Sequence, residues 1–286
     1  MKLLNLGCGQ RFHSDWINID FVSADKTVIT HDLSNGIPFD DNSFDVIYHS
    51  HILEHFSKMD AFKFSKECFR VLNVNGIIRI AVPDLEIIVK QYLHNLNLAT
   101  AGDPVADSNY EWIKLELFDQ MVRNETGGEM YKYLVQETIP NEDYVYQRIG
   151  NEARKIRRDY FEMKKNNTTQ KLNINNTQKA FNFKKSLRRF IERTLMSIFL
   201  NNKSKSFDKN QKEIKIGKFR TGGETHQWMY DRYSLEKLLN IIGFKDIQIK
   251  TPFESDIHGW NSYGLDVDNE GLVYKPDSLF IEAKKY

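Results

Sequence analysis

The stretch Leu3-Leu-Asn-Leu-Gly-Cys-Gly9 decides how the rest of the chain is read. A short apolar run, residues 3–6, breaks abruptly into Gly7-Cys8-Gly9, the pattern of a buried strand feeding a glycine loop. Glycine at both positions permits unusual backbone angles and lets a ligand approach the main chain without meeting a Cβ. Loops of this kind bind nucleotide-like ligands at the carboxyl edge of parallel sheets. Alone, a GxG also describes a bare tight turn, so the neighbouring stretches carry the decision.

Working outward, Trp16-Ile-Asn-Ile-Asp20 alternates apolar and polar residues as a strand does and ends on an acid. A third strand is expected over 27–30 and a fourth over 44–48, with the turn-rich residues 34–42 between them. Helix is expected over 52–56 and 61–72, the second burying Phe62, Phe69 and Leu72 and stopped by Asn73-Val-Asn-Gly76. Residues 77–82 form the near-continuous apolar run of a buried parallel strand, ended by Pro83-Asp84. The pattern resumes with a helix over 233–242 stopped by Gly243, then strands over 244–250 and 278–283. Alternating strands and helices predict a doubly wound α/β fold with a mostly parallel sheet. The core is split into 1–100 and 226–286 around a largely helical, basic insertion or lid at 101–225. Within it, residues 111–121 read as helix, whereas 166–178 and 201–212 are polar and lack periodicity.

The formal net charge of +1 points to no partner, but it conceals an asymmetry. Residues 150–218 hold 19 Lys and Arg against 6 Asp and Glu, and the remainder holds 21 against 33. Two isolated cysteines, Cys8 and Cys68, suit a reducing compartment better than a disulfide framework. No apolar run approaches 18 residues and no leader pattern opens the chain, so the expectation is a cytoplasmic protein that does not span a membrane.

Four stretches resemble the Rossmann-like S-adenosylmethionine-dependent methyltransferases of the type 11 group. They are LLNLGCG (3–9), WINIDF (16–21), HDLSNGIPFDDNSFDVIYHSHILEHF (31–56) and ECFRVLNVNGIIRIAVPD (67–84). YSLEKLLNIIGF and SLFIEAKK resemble the final helix and last strand of that fold, the latter antiparallel. The resemblance implies S-adenosylmethionine as cofactor, with Asn5 and the backbone of Gly7, Cys8 and Gly9 against its methionine part. Asp20 would accept both ribose hydroxyls, Asp32 and Leu33 would border the adenine, and Tyr48, His49 and Ser50 would lie beneath the sulfonium. Asn5 stands where the family often has an acid and Arg11 where it often has a third glycine, so no carboxylate at position 5 meets the cofactor's ammonium. A dinucleotide oxidoreductase fits less well, because its ribose acid lies about 20 residues past the loop while Asp20 follows Gly7 by 13.

Methyl transfer to a hydroxyl benefits from a general base. His51 and Asp84, at carboxyl ends of strands, are the candidates, and His226, Trp228 and Tyr230 could line the acceptor pocket where the insertion rejoins the core. His51-Ile-Leu-Glu-His55 matches the HxxEH of inverted zinc proteases, but it follows a strand directly rather than lying in a long helix, so no metal is expected. In 180–200, Phe183, Leu187, Phe190, Ile191, Leu195, Ile198 and Phe199 form an apolar stripe beside Lys184, Lys185, Arg188, Arg189 and Arg193. The first reading is a helix packed on the core or another subunit; peripheral contact with an anionic membrane comes second. Nucleic acid comes last, because the aromatics fall on the stripe and no RNA-binding motif accompanies them. The acceptor implied is a small molecule or glycan, as in surface-polysaccharide assembly. The rivals are a non-catalytic binding protein of the same fold and a membrane- or nucleic-acid-associated module.

Overall fold

A computed structural model describes residues 1–23, 25–172 and 209–286. Its seven strands are β1 (Leu3–Leu6), β2 (Ile17–Asp20), β3 (Val28–Thr30), β4 (Phe44–Ser50), β5 (Leu72–Pro83), β6 (Lys245–Lys250) and β7 (Ser278–Lys284). They form one sheet in the order β3-β2-β1-β4-β5-β7-β6. Strands β1 to β5 are mutually parallel, and β7 runs antiparallel to both β5 and β6. β1 is apolar at three of its four positions and buried at all four because it lies between β2 and β4. The chain leaves β1 toward β2 and β3 on one side and returns to β4 on the other. That reversal opens a crevice at the carboxyl ends of β1 and β4, where ligands bind in open α/β sheets.

Strand alternation divides the core into two layers. Leu4, Leu6, Ile47, Ile78 and Ile80 face α1 (Lys58–Val71) and the later helix at Arg232–Ile242. Leu3, Val46 and Tyr48 face the other way, into an aromatic layer with Trp16 and Trp260. Arg79 interrupts the apolar run of β5 and is fully buried on that second face. Its guanidinium donates to Asp266 Oδ2 at 2.8 Å and Glu282 Oε1 at 2.6 Å, and it lies 4.6 Å from the Trp260 ring centre. An interior arginine is tolerated only when its charge and its donors are met, as they are here.

The remaining helices are α2 (Leu85–Thr100), α3 (Pro104–Val122), α4 (Gly128–Leu134), α5 (Glu142–Leu172), α6 (Lys209–Arg220) and α7 (Arg232–Ile242). α3 to α5 bury a core of their own around Trp112, Leu134, Ile139, Val145, Ile149 and Ala153. A smaller cluster of Ile88, Ile113 and Met229 packs α2 against α3 and the segment that precedes α7. α5 kinks at Gly150, where φ is 63°. None of the described helices is long and apolar enough to cross a membrane.

Several local expectations are corrected. Residues 52–56 make only a 3-10 turn, Leu53–His55, because α1 begins after the Ser57 cap, which accepts from Asp60 N. The buried face of α1 is Ala61, Phe64, Ser65, Cys68 and Val71, with Phe62 only half-buried. Asn73-Val-Asn-Gly76 does not end the helix; it lies inside β5 as an irregularity, with Asn75 at φ 65° and the register shifting opposite Phe44 and Val46. Gly76 is required there, since a Cβ would come within 2.8 Å of the Asn73 carbonyl. The amphipathic segment 180–200 lies outside the described residues, as do 173–178 and 201–208.

Candidate active site

The crevice has two halves. On the β1 side, the glycine loop turns with Gly7 at φ 63° and Gly9 at φ 56°. A Cβ on Gly7 would strike Ile52 Cδ1 at 2.0 Å, so this glycine is fixed by packing. A Cβ on Gly9 would meet nothing within 4 Å, so the backbone there faces open space. Asp20, at the end of β2, accepts from Gly9 N at 2.7 Å and Val22 N at 3.0 Å. Its carboxylate is thereby aimed into the mouth of the crevice, with acceptor capacity left on both oxygens. Asp32 caps the 3-10 turn Leu33–Asn35 by accepting from Ser34 N at 2.9 Å, and the Ser34 side chain first, with this backbone bond second, holds its carboxyl below the usual range.

Asn5 plays a different part from the one the resemblance implies. It is 1% exposed, and its Nδ2 donates at 3.0 Å to both Arg11 O and Asn18 Oδ1. Its amide braces the loop from behind. Cys8 is also buried, and desolvation followed by the charge of Asp20 pushes its thiol up to about 12. Arg11, in place of a third glycine, lies with its guanidinium 4.7 Å from the Tyr274 ring centre. α5 reaches the same mouth through Lys155 Nζ, 3.4 Å from Gln10 Oε1.

On the β4 side the structure separates the three residues grouped beneath the sulfonium. Tyr48 belongs to the aromatic layer, its hydroxyl donating to Asp266 Oδ1 at 2.6 Å. His49 turns to the opposite layer, fully buried against the Phe64 ring, and desolvation drives it down to about 4. Only Ser50, at the strand's end, is half-exposed. The cause is the two-residue alternation of a strand buried on both faces.

His51 follows with φ 55°, a conformation rare for a residue with a Cβ. Its Nε2 lies 2.8 Å from Ser278 Oγ at the start of β7, and its Nδ1 lies 3.1 Å from Glu54 Oε1. Asp84 caps α2, its Oδ1 accepting from Glu86 N at 2.9 Å and Ile87 N at 3.3 Å. Burial raises this carboxyl against those bonds. Behind it, Arg148 of α5 donates to Glu116 Oε2 of α3 at 2.6 Å, and both are buried. Burial pushes Glu116 up to about 7, with Arg148 opposing.

The residues where the insertion rejoins the core divide three ways. Tyr230 is 4% exposed in the main core and pairs with Asp84 as an isolated parallel bridge, so it is a packing residue. Trp228 is half-buried beneath Lys58, whose Nζ is 3.7 Å from the ring centre. His226 is buried beside Glu54 and His55.

Residues 21–80, from the end of β2 through β5, match the family model described as a methyltransferase domain. These residues are similar to a methyltransferase domain, and the strand order of the sheet is that of a Rossmann-like fold. Similar solved chains include the YcgJ protein from Bacillus subtilis, at 20% identity over 34% of this chain and 50% of that one, TM-score 0.25. A SAM-dependent methyltransferase from Archaeoglobus fulgidus aligns at 12% identity over 99% of this chain and 86% of its own, TM-score 0.37. A Thermotoga maritima SAM-dependent methyltransferase, titled a possible histamine N-methyltransferase, gives 10%, 100% and 82%, with TM-score 0.35. The strand order itself establishes the fold. The matches to the first three solved chains span about half of their lengths or less. No curated protein matches the chain.

The sequence alone did not single out Glu54, Ser278, Glu116 and Arg148 as site residues. Ser278 and His51 are 227 positions apart, and Arg148 and Glu116 are 32. Of these, only Glu54 had a local signal, as the acid between the two histidines of HxxEH.

Proposed function

We propose that this chain transfers a methyl group from S-adenosylmethionine to a hydroxyl of a small-molecule or glycan acceptor, as in surface-polysaccharide assembly. One observation carries the cofactor half. The backbone at Gly9 opens onto free space next to the Asp20 carboxylate, at the crevice between β1 and β4. The backbone of Gly7 to Gly9 would hold the methionine part, Asp20 the ribose hydroxyls, and Asp32 with Leu33 the adenine edge. A bound sulfonium supplies the electrophilic methyl.

Ser50 would then border the sulfonium, and His51 would serve as base. Its Nε2 is engaged by the Ser278 hydroxyl, so an acceptor hydroxyl takes that place and gives its proton to Nε2. The acceptor oxygen forms the new bond to the methyl carbon, and the pair of the broken C–S bond returns to sulfur. The Glu54 carboxylate, 3.1 Å from Nδ1, supports by its charge the imidazolium that forms. Asp84 is a positioning residue in this scheme, because its capping role already holds it at the start of α2. α3 to α5, reaching the loop through Lys155, form the lid and exclude water.

Calorimetric titration with the cofactor tests the first half. Saturable one-to-one binding by the native chain, weakened at least tenfold in Asp20→Ala, is expected; absence of binding overturns the reading. Transfer of labelled methyl to a panel of glycans and small hydroxyl acceptors tests the second half. His51→Ala is expected to lose about a hundredfold in kcat with cofactor affinity unchanged.

A further inference from the structure

Glu54 is fully buried, and neither carboxylate oxygen has an aligned hydrogen-bond donor. Ionised carboxylates in protein interiors are paired, hydrogen-bonded or bound to metal. The groups around this one are imidazoles. His51 Nδ1 lies 3.1 Å from Oε1 and His226 Nε2 lies 4.0 Å from it, while the rings of His55 and His226 meet edge-on at 4.9 Å. Glu54, His55 and His226 each offer one ligand atom, all within 4.8 Å of one another.

Two further details suit a ligand set. His55 Nδ1 faces the Thr225 carbonyl at 3.4 Å, leaving Nε2 as the lone-pair nitrogen. A metal-binding histidine usually holds a backbone carbonyl in this way with its other nitrogen. His226 has no partner at Nδ1. The two segments are also locked together by main chain, since Gln227 N at 2.7 Å and Trp228 N at 3.2 Å donate to Glu54 O. This join holds the Glu54 and His226 backbones side by side, so their side chains enter one space.

We propose that Glu54, His55 and His226 bind one divalent transition ion of the zinc type. The ion clasps the turn after β4 to the point where the insertion rejoins the core. The donors are two imidazole nitrogens and a carboxylate oxygen, a set that zinc uses with three protein ligands and an open fourth position. Bond lengths of about 2.0–2.2 Å place tetrahedral ligands roughly 3.4 Å apart, so ligand atoms that lie within 4.8 Å of one another close by up to about 1.4 Å on binding. His51 remains outside the ligand set, against the same carboxylate, in the manner of groups that orient metal ligands. This differs from the HxxEH pairing of His51 with His55: the second imidazole comes from His226, 171 positions further along.

The chain, stripped with chelator and free of cofactor, is titrated with Co²⁺ and followed by visible absorption, then back-titrated with Zn²⁺. One ion per chain is expected, with the ligand-field bands of a four- or five-coordinate site, and Zn²⁺ raises Tm. Glu54→Gln and His226→Gln lower affinity at least a hundredfold, whereas His258→Gln, an exposed histidine elsewhere, leaves it unchanged. Zinc-edge X-ray absorption on the native chain decides the case if a variant fails to fold: two imidazoles and a carboxylate oxygen are expected. Failure of the native chain to bind either ion, binding that persists in both ligand variants, or a purely aqueous shell overturns the site. Cofactor titration is a separate measurement, so loss of the metal proposal leaves the methyl-transfer proposal standing.

Discussion

The two halves of the crevice are built from different materials. On the β1 side the chain offers main-chain groups on a glycine turn and one carboxylate set by two amides. On the β4 side it offers buried ionisable side chains, His49, Glu54, Asp84, Glu116, Arg148 and His226, drawn from distant segments. A backbone site needs only the right turn, and it adds little strain beyond positive φ. A site of buried charges must balance each one, so it depends on tertiary assembly and on pH. The first half suits a ligand of fixed shape, and the second suits chemistry that moves protons or holds an ion.

The largest test of this contrast removes a balancing charge. Arg148→Met leaves Glu116 buried without its partner and is expected to destabilise the fold by about 3–5 kcal/mol in denaturant titrations. Because Glu116 already sits near 7, the loss should be smaller at pH 6 than at pH 8, where the unpaired carboxyl must ionise. Equal losses at both values would place the charge balance elsewhere.

Next comes acid sensitivity through His49. Its folded value, about 4, lies below the 6.5 of an exposed histidine. The unfolded chain therefore binds more protons between those values, and stability falls as pH drops through the window. By pH 4 this group alone accounts for about 3 kcal/mol. His49→Leu should flatten the Tm–pH profile below pH 6.5 without changing cofactor affinity at pH 8.

Smaller effects are expected on the β1 side. Asn5→Asp introduces the acid that the resemblance implies at this position but removes the donor that Asn18 Oδ1 and Arg11 O share. About 2 kcal/mol of stability is lost, and calorimetry should show no gain in cofactor affinity. Gly9→Ala costs only about 1 kcal/mol for its left-handed backbone, yet cofactor affinity falls at least tenfold because the Cβ enters the ligand's space. A stability loss without an affinity loss would sink the placement of the cofactor.

Legibility in the sequence follows the same division. Strand alternation and glycine turns are local, so the parallel order of β1 to β5, the glycine loop and Asp20 at the end of β2 could be read from short stretches. Tyr48 and His49 were misjudged because adjacent residues in a doubly buried strand face opposite layers. Arg79 was hidden inside an apolar run, since its partners Asp266 and Glu282 lie about 190–200 positions away. The role of Asn73-Val-Asn-Gly76 turned on a strand irregularity, which glycine permits as readily as a helix stop. Glu54 showed its neighbours in sequence but not His226, which only the return of the insertion supplies.

The position of β7 bears on how the protein is made. Among the described residues it is the last strand in chain order but the sixth across the sheet, and it fills the gap between β5 and β6. Until it arrives, β5 presents an unpaired apolar edge and Arg79 lacks Glu282. Ser278, which meets His51, arrives with the same strand. A nascent chain can therefore shape the glycine loop early, but its proposed proton-handling side is completed only once β7 has been made.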